Sequence, residues 1–424
     1  MSPTFRSLSN RNYRLYASGA VVSNTGTWMQ RVAQDWLVLQ LTNNSGTALG
    51  ITTGLQFLPI LLLSPYAGLI ADRFPKRRLL QVTQLMLAVP ALALGVLALT
   101  GVAESWHVYV LAFVFGIGSA FDAPARQSFV SEIVGPDDLT NAVGLNSASF
   151  NLARMIGPAL AGVLIAALGS GVPATGAVIV LNALSYGAVI LSLQRMRERD
   201  LRPAKREERH KGMIREGVQY TLARPDLMLI LTIVFFAGTF GLNFQITSAL
   251  MATEVFDKGA SEYGLLGTTL AIGSLSGALL AARRVRIRHR LVILAAFAFG
   301  VAEIAAGLMP SYLTFALWTP VLGLASLTMI TSANATFQVS VAPAMRGRVM
   351  ALYMMVFMGG TPIGAPIIGW VGEMFGARWT LIGGGLATIA GTALAVLIYS
   401  RAKGLIGHAE DTEADDDRVP ERVG

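Results

Sequence analysis

The sequence predicts an all-α membrane protein with twelve transmembrane helices in two pseudo-symmetric six-helix bundles. Composition, the spacing of apolar runs and the placement of basic residues predict it. Of the 424 residues, 53% are hydrophobic and 14% charged, where a soluble domain carries about 25% charged residues. Too few polar side chains remain to cover a water-facing surface, so the bilayer must solvate most of the chain.

A hydrocarbon core of about 30 Å takes about 20 apolar residues in a helix. Such runs fall at roughly 15–41, 46–71, 79–100, 106–127, 141–168, 174–194, 226–252, 263–282, 291–309, 312–338, 349–373 and 379–400. The first follows Arg6, Arg11 and Arg14, as a signal peptide would. It is too long for a signal core, carries Arg31 and Asp35 and lacks a small-residue cleavage site, so a retained helix is expected.

With the N-terminus inside, all but four of the 33 Lys and Arg fall on the inner side. The exceptions are Lys258 and Arg378 outside, and Arg31 and Arg154 within spans. This is the positive-inside asymmetry, which one missed helix would scramble. The net charge of +8 therefore reports topology and contact with membrane lipids, and no nucleic-acid partner is expected. An Arg-, Ala- and Gly-rich chain fits a GC-rich bacterial genome. The expected location is the bacterial inner (cytoplasmic) membrane, multi-pass, with both termini cytoplasmic.

The one long internal polar stretch begins at Arg195 and divides the chain. Residues 1–194 form the N-terminal six-helix bundle and 195–225 a basic cytoplasmic linker. The linker ends in an interfacial helix marked by Ile214, Val218 and Leu222. Residues 226–400 form the C-terminal bundle, and the acidic tail 401–424 is expected to be disordered. A shift of 207 residues aligns Gly116 with Gly323, Val134 with Val341, Pro136 with Pro343 and Leu145 with Leu352. It also aligns Phe150 with Phe357, Gly157 with Gly364 and Gly162 with Gly369. Parallel six-helix repeats place a substrate site near the midplane between the halves.

The loop between spans two and three reads Gly68-Leu-Ile-Ala-Asp72-Arg73-Phe-Pro75-Lys76-Arg77-Arg78. Gly68 allows close helix contact, Asp72 can pair with a cation or helix end in one gate state, and the basic run meets anionic headgroups. This loop resembles the G-x-L-a-D-R-x-G-R-[KR] loop of the major facilitator superfamily, with Pro75 where that family usually has Gly. The fifth span carries Gly144, Ala153, Gly157, Pro158, Ala161 and Gly162, and looks like the antiporter motif of that family's drug–proton exchangers. Small residues let helices approach, and Pro158 bends the span. Together with GTWMQRVAQDWLVLQLT, FDAPARQSFVSEIV and RGRVMALY, these landmarks resemble the enterobactin-exporter-like and drug efflux branch. The resemblance implies efflux without naming a substrate.

Intramembrane charges are costly and mark function. In span one Asn24, Trp28, Arg31 and Asp35 share one helical face. Asp35 is the first proton-coupling candidate, with a fixed Arg31–Asp35 ion pair as the structural alternative. Glu303 in span nine is the second proton candidate. Asn146, Phe150 and Arg154 in span five, with Asn243 and Phe357 in the second half, join Asn24, Trp28 and Arg31 as cavity candidates. Arg154 could hold an anionic substrate group or a carboxylate of another helix. Asp122 and Arg126 are expected at an inner gate with Asp72; Arg73, Arg77, Gly68, Gly157 and Pro158 complete the gate and motif set.

The chain has no cysteine and four scattered histidines, so no metal site is expected. Without a nucleophile–base set or a G-x-x-x-x-G-K-[ST] loop, neither enzyme activity nor direct use of ATP is expected, and no cofactor is implied. The function expected is secondary active export of a small amphipathic molecule (drug, siderophore or natural product), in exchange for protons, by a monomer. Import of a small metabolite on the same fold is the alternative.

Overall fold

The computed structural model describes residues 3–202, 213–282, 289–342 and 345–416, and among these every regular element is helical. The N-terminal half has six long helices: Arg11–Leu41, Gly46–Arg73, Lys76–Leu99, Ser105–Ile133, Pro136–Ala167 and Val172–Gln194. A short amphipathic helix, Met213–Leu222, precedes the second half. Span seven is Pro225–Val255, span eight Ala260–Ala282, span nine His289–Gly307 and span ten Tyr312–Ser340. Span eleven is Arg346–Phe375, and the last helix is Ala377–Asp416.

Eleven of these helices are long and apolar enough to cross a membrane. The first falls short on apolarity because its polar groups are turned into the protein. Ser23, Gln30, Gln34 and Asp35 are all buried, while Val21 and Val22 are exposed. At 31 residues and about 1.5 Å per residue, it still spans the bilayer. The last helix continues past its apolar span as far as Asp416, and residues 417–424 of the acidic tail lie outside the described residues.

Helix ends follow local chemistry. Asn10, Ser45 and Ser311 cap spans one, two and ten by accepting from the backbone N–H three residues on. Pro136 and Pro225 open spans five and seven, where the missing N–H costs nothing. Asn43 and Asn44 take positive φ in the tight turn between spans one and two. Span seven is irregular. A π-turn at Ala237–Gly241 ends its first half, and helix resumes at Phe244.

The 207-residue repeat has a packing meaning. A Cβ on Gly116 would overlap the carbonyl of Gln56, and one on Gly323 the carbonyl of Leu270. Span four thus meets span two as span ten meets span eight. Gly157 lies against Trp28 of span one, as Gly364 lies against Thr239 of span seven. Gly162 meets Ala260 of span eight, and Gly369 meets Gly46 of span two, so this last pair joins the two halves. Pro343, one of the aligned positions, lies outside the described residues.

These inter-half contacts form two seams, spans two with eleven and five with eight, both toward the face opposite the basic loops. Gly46 and Gly50 press on Gly369 and Ala365; Gly264 presses on Pro158. Glu373 accepts from the Ser45 hydroxyl at 2.8 Å and the Thr47 N–H at 3.0 Å. On the basic face the halves part. A Cβ on Gly144 or Gly347 meets nothing within 4 Å, and Val143 and Phe150 are exposed. The molecule is closed on the far face and open on the basic face.

Candidate functional site

Between the halves, at mid-depth, lies a cavity of about 370 Å³. Spans one and five supply Trp28, Arg31 and Arg154, and the second half supplies Phe244, Gln245 and Phe357. Phe244 and Gln245 reach it because span seven restarts there after its break.

The polar face of span one is divided between two tasks. The Arg31 guanidinium lies over the Trp28 ring at 4.7 Å and faces Phe57 at 5.9 Å. Asp35, one turn farther from the basic face, is buried, and its Oδ2 accepts from the Tyr263 hydroxyl at 2.8 Å. Tyr263 belongs to span eight, so this bond crosses the seam between the halves. Tyr263 also donates to the Gln245 carbonyl at 3.3 Å and stacks on Trp36. The alternative of an Arg31–Asp35 ion pair is not realised. No such pair occurs within 4.0 Å among the described residues, because one side chain turns onto Trp28 and the other toward Tyr263.

Other cavity candidates divide. Phe150 packs edge-on against Trp28 at 5.8 Å, placing it on the cavity's basic-face approach. Asn24 and Asn146 are half-buried and do not border the cavity. Asn243 is buried just behind the wall, donating to the Thr239 carbonyl at 2.8 Å, with its Oδ1 unpartnered.

Glu303 is buried too, and unlike Asp122 and Glu132 it has no basic partner within 4.0 Å among the described residues. It is fully inaccessible, and neither carboxylate oxygen has a hydrogen-bond partner. It faces the break in span seven. A Cβ on Gly241 would lie 2.9 Å from its Oε2, and one on Gly384 3.3 Å from its Oε1. Spans seven and twelve enclose this position of span nine.

The gate and motif set separates likewise. Asp122 accepts from Thr83 at 2.8 Å and Gln84 at 2.6 Å, and pairs with Arg126 at 3.0 Å, all within the first half. The side chain of Asp72 lies outside the described residues. Arg77 donates to the Leu193 carbonyl at 2.6 Å and pairs with Glu198, tying the 2–3 loop to the end of span six. Gly68 and Arg73 close span two. Gly157 and Pro158 face opposite partners, Trp28 in their own half and Gly264 across the seam. Sequence reasoning missed Tyr263, Gln245 and Phe57. Gly264 and Gly267 on span eight carried the available signal, a small-residue pair matching the one on span five.

A family model described as transmembrane secretion effector matches residues 2–420. The chain is 26% identical to the staphyloferrin A transporter of Staphylococcus aureus, over 92% of this chain and 97% of that one. It is 27% identical to the multidrug efflux pump Tap of Mycolicibacterium fortuitum, over 86% and 90% of the two chains. Macrolide efflux protein A of Streptococcus pyogenes is 24% identical, over 88% and 92%. Among solved structures, a bacterial homolog of the human lysosomal transporter Spinster, inward-facing, superposes with a TM-score of 0.70 at 15% identity, covering 94% and 96%. The nucleoside transporter NupG superposes with a TM-score of 0.73 at 11% identity, covering 92% and 99%.

Proposed function

The chain belongs to the transmembrane secretion effector family of the major facilitator superfamily, and from that premise we propose that it exports a small amphipathic molecule in exchange for protons by alternating access. The basic face is taken as cytoplasmic. One observation carries this reading: a mid-membrane cavity, open to the basic face, whose far seam is bridged by a buried acid, Asp35, bonded to Tyr263 of the other half. A proton arriving at Asp35 changes the bond that joins the halves, which is what coupling an ion to a rocking motion requires. The efflux pumps among the relatives support the direction.

Glu303 is the second candidate proton carrier. Its unpartnered oxygens sit against the broken helix of span seven, and an isolated ionised carboxylate is too costly to bury unpaired. A proton on Glu303 therefore accompanies the seating of this break. Each bundle then carries one buried acid outside any ion pair among the described residues, Asp35 in the first and Glu303 in the second. Residues 1–194 and 226–400 act as the rocking units, with 195–225 as their tether.

Transport in liposomes tests the proposal. Efflux of a confirmed substrate should follow an imposed proton gradient and stop when it is collapsed; gradient-independent transport would sink the coupling. Accumulation in intact cells would reverse the direction. Tyr263→Phe tests the gate separately. Losing a hydrogen bond to a charged group, about 1.5–3 kcal/mol, should shift the balance about 10- to 100-fold toward outward-open. A cysteine placed at Ser248, on the cavity wall, should then label that much faster with an impermeant maleimide added outside. Unchanged labelling would remove Tyr263 from the gate.

A further inference from the structure

The charge of the exported molecule can be read from the cavity wall. Among the described residues its lining holds two arginines, Arg31 and Arg154, and no acidic residue. Neither arginine has a carboxylate within 4.0 Å among the described residues. Arg31 rests on the Trp28 and Phe57 rings, with the Asp35 carboxylate near it but beyond ion-pair distance. Arg154 keeps a buried Nε with no hydrogen bond. Asp35, the nearest acid along span one, is engaged with Tyr263. Cations at mid-membrane are costly, and a buried charge without a partner is more so. Two of them on one cavity wall, neither in an ion pair among the described residues, fit a site completed by its ligand.

We propose that this cavity selects amphipathic anions, with an anionic group such as a carboxylate held by Arg154 and Arg31. The inference rests on the export reading for direction only; the selectivity follows from the wall itself.

Depth orders the two cations. A Cβ on Gly157 would lie 2.6 Å from the Trp28 Cβ, so these residues share a level where spans one and five cross. The two spans run the same way. Arg31 is three residues farther from the basic face than Trp28, and Arg154 three residues nearer to it than Gly157. At 1.5 Å per residue their Cα atoms differ in depth by about 9 Å. A molecule entering from the basic face meets Arg154 first and Arg31 second. Two anionic groups that far apart can occupy both at once, and a single one can pass between them. Each guanidinium offers a planar fork suited to a carboxylate.

The opposite wall suits the rest of the ligand. Everything the second half contributes is uncharged, with Leu242, Phe244, Leu270, Ile330 and Phe357 forming an apolar face. The first half grips the charge and the second half grips the body, so each half holds a different end of the cargo.

The test uses the purified full chain in phosphatidylcholine vesicles, without any ion gradient. Fluorescein and rhodamine 6G share a xanthene ring and differ in charge sign. Fluorescein should bind at least about 10-fold tighter than rhodamine 6G, read by fluorescence anisotropy. Arg154→Gln should weaken fluorescein binding about 10- to 100-fold, and Arg154→Lys, which keeps the charge without the fork, by less. Arg154 makes no hydrogen bond that folding would miss; an unchanged melting temperature confirms that the loss is one of binding. Arg31→Gln should act in the same direction. Equal binding of the two dyes, preference for rhodamine 6G, no detectable fluorescein binding, or indifference to both arginine substitutions would each overturn the proposal. Because no gradient is present, failure of proton coupling leaves this result standing, and loss of charge selectivity leaves the coupling reading untouched.

Discussion

Asp35→Asn should abolish proton-driven export while leaving the chain folded and the cavity formed. Asparagine keeps the size of aspartate and an oxygen that can accept from the Tyr263 hydroxyl. What it loses is the ability to take up and release a proton. The far side would then be held by a bond between spans one and eight that no longer responds to the gradient. Gradient-driven transport should fall at least about 100-fold, the scale of losing a positioned proton-transfer group. The measurement is substrate-induced pH change inside liposomes. A variant that still moves protons with substrate at the wild-type rate would take Asp35 out of the coupling. Glu303→Gln would then be the decisive variant, since Glu303 is the other buried acid with no basic partner in its surroundings.

A single methyl-bearing substitution in the far seam should have an equally large effect by a different route. A Cβ on Gly50 would collide with the Ala365 carbonyl and come within 2.9 Å of the Pro366 Cα. Backbone cannot step aside as a side-chain tip can. The two halves can, because the seam must part in every cycle. Gly50→Val is therefore expected to hold the chain outward-open, with transport lost and thermal stability little changed. A cysteine at Ser248 should label from outside in this background. Gly273→Val is the control. Its Cβ would overlap the Pro320 carbonyl inside one bundle, where nothing is built to separate, so it should destabilise by about 1–3 kcal/mol or more. Equal loss of stability in both variants would show that the seam is as fixed as the bundle interior.

The fold was largely legible because hydropathy and basic loops report on the bilayer, the dominant solvent. The midplane arginines were legible too, as polar residues where none is expected. Their partners were not. Periodicity put Arg31 and Asp35 on one face of a helix, and spacing alone suggested that they pair. Which way each side chain turns depends on Trp28, Phe57 and Tyr263, and Tyr263 comes from a span 228 residues away. Likewise, nothing in the sequence around Glu303 marks it as enclosed. That follows from the break in span seven and from Gly241 and Gly384, which let two neighbouring spans close over it.

The far seam has a thermodynamic consequence. Where two surfaces meet through long side chains, each closure freezes rotamers, and ordering a side chain costs up to about 2 kcal/mol. Gly46, Gly50, Gly264 and Gly369 have no rotamers to freeze. Opening and closing this seam therefore changes little side-chain entropy, so the two states can lie close in free energy. In a balance that even, one hydrogen bond, such as that between Tyr263 and Asp35, is enough to decide which face of the membrane the cavity sees.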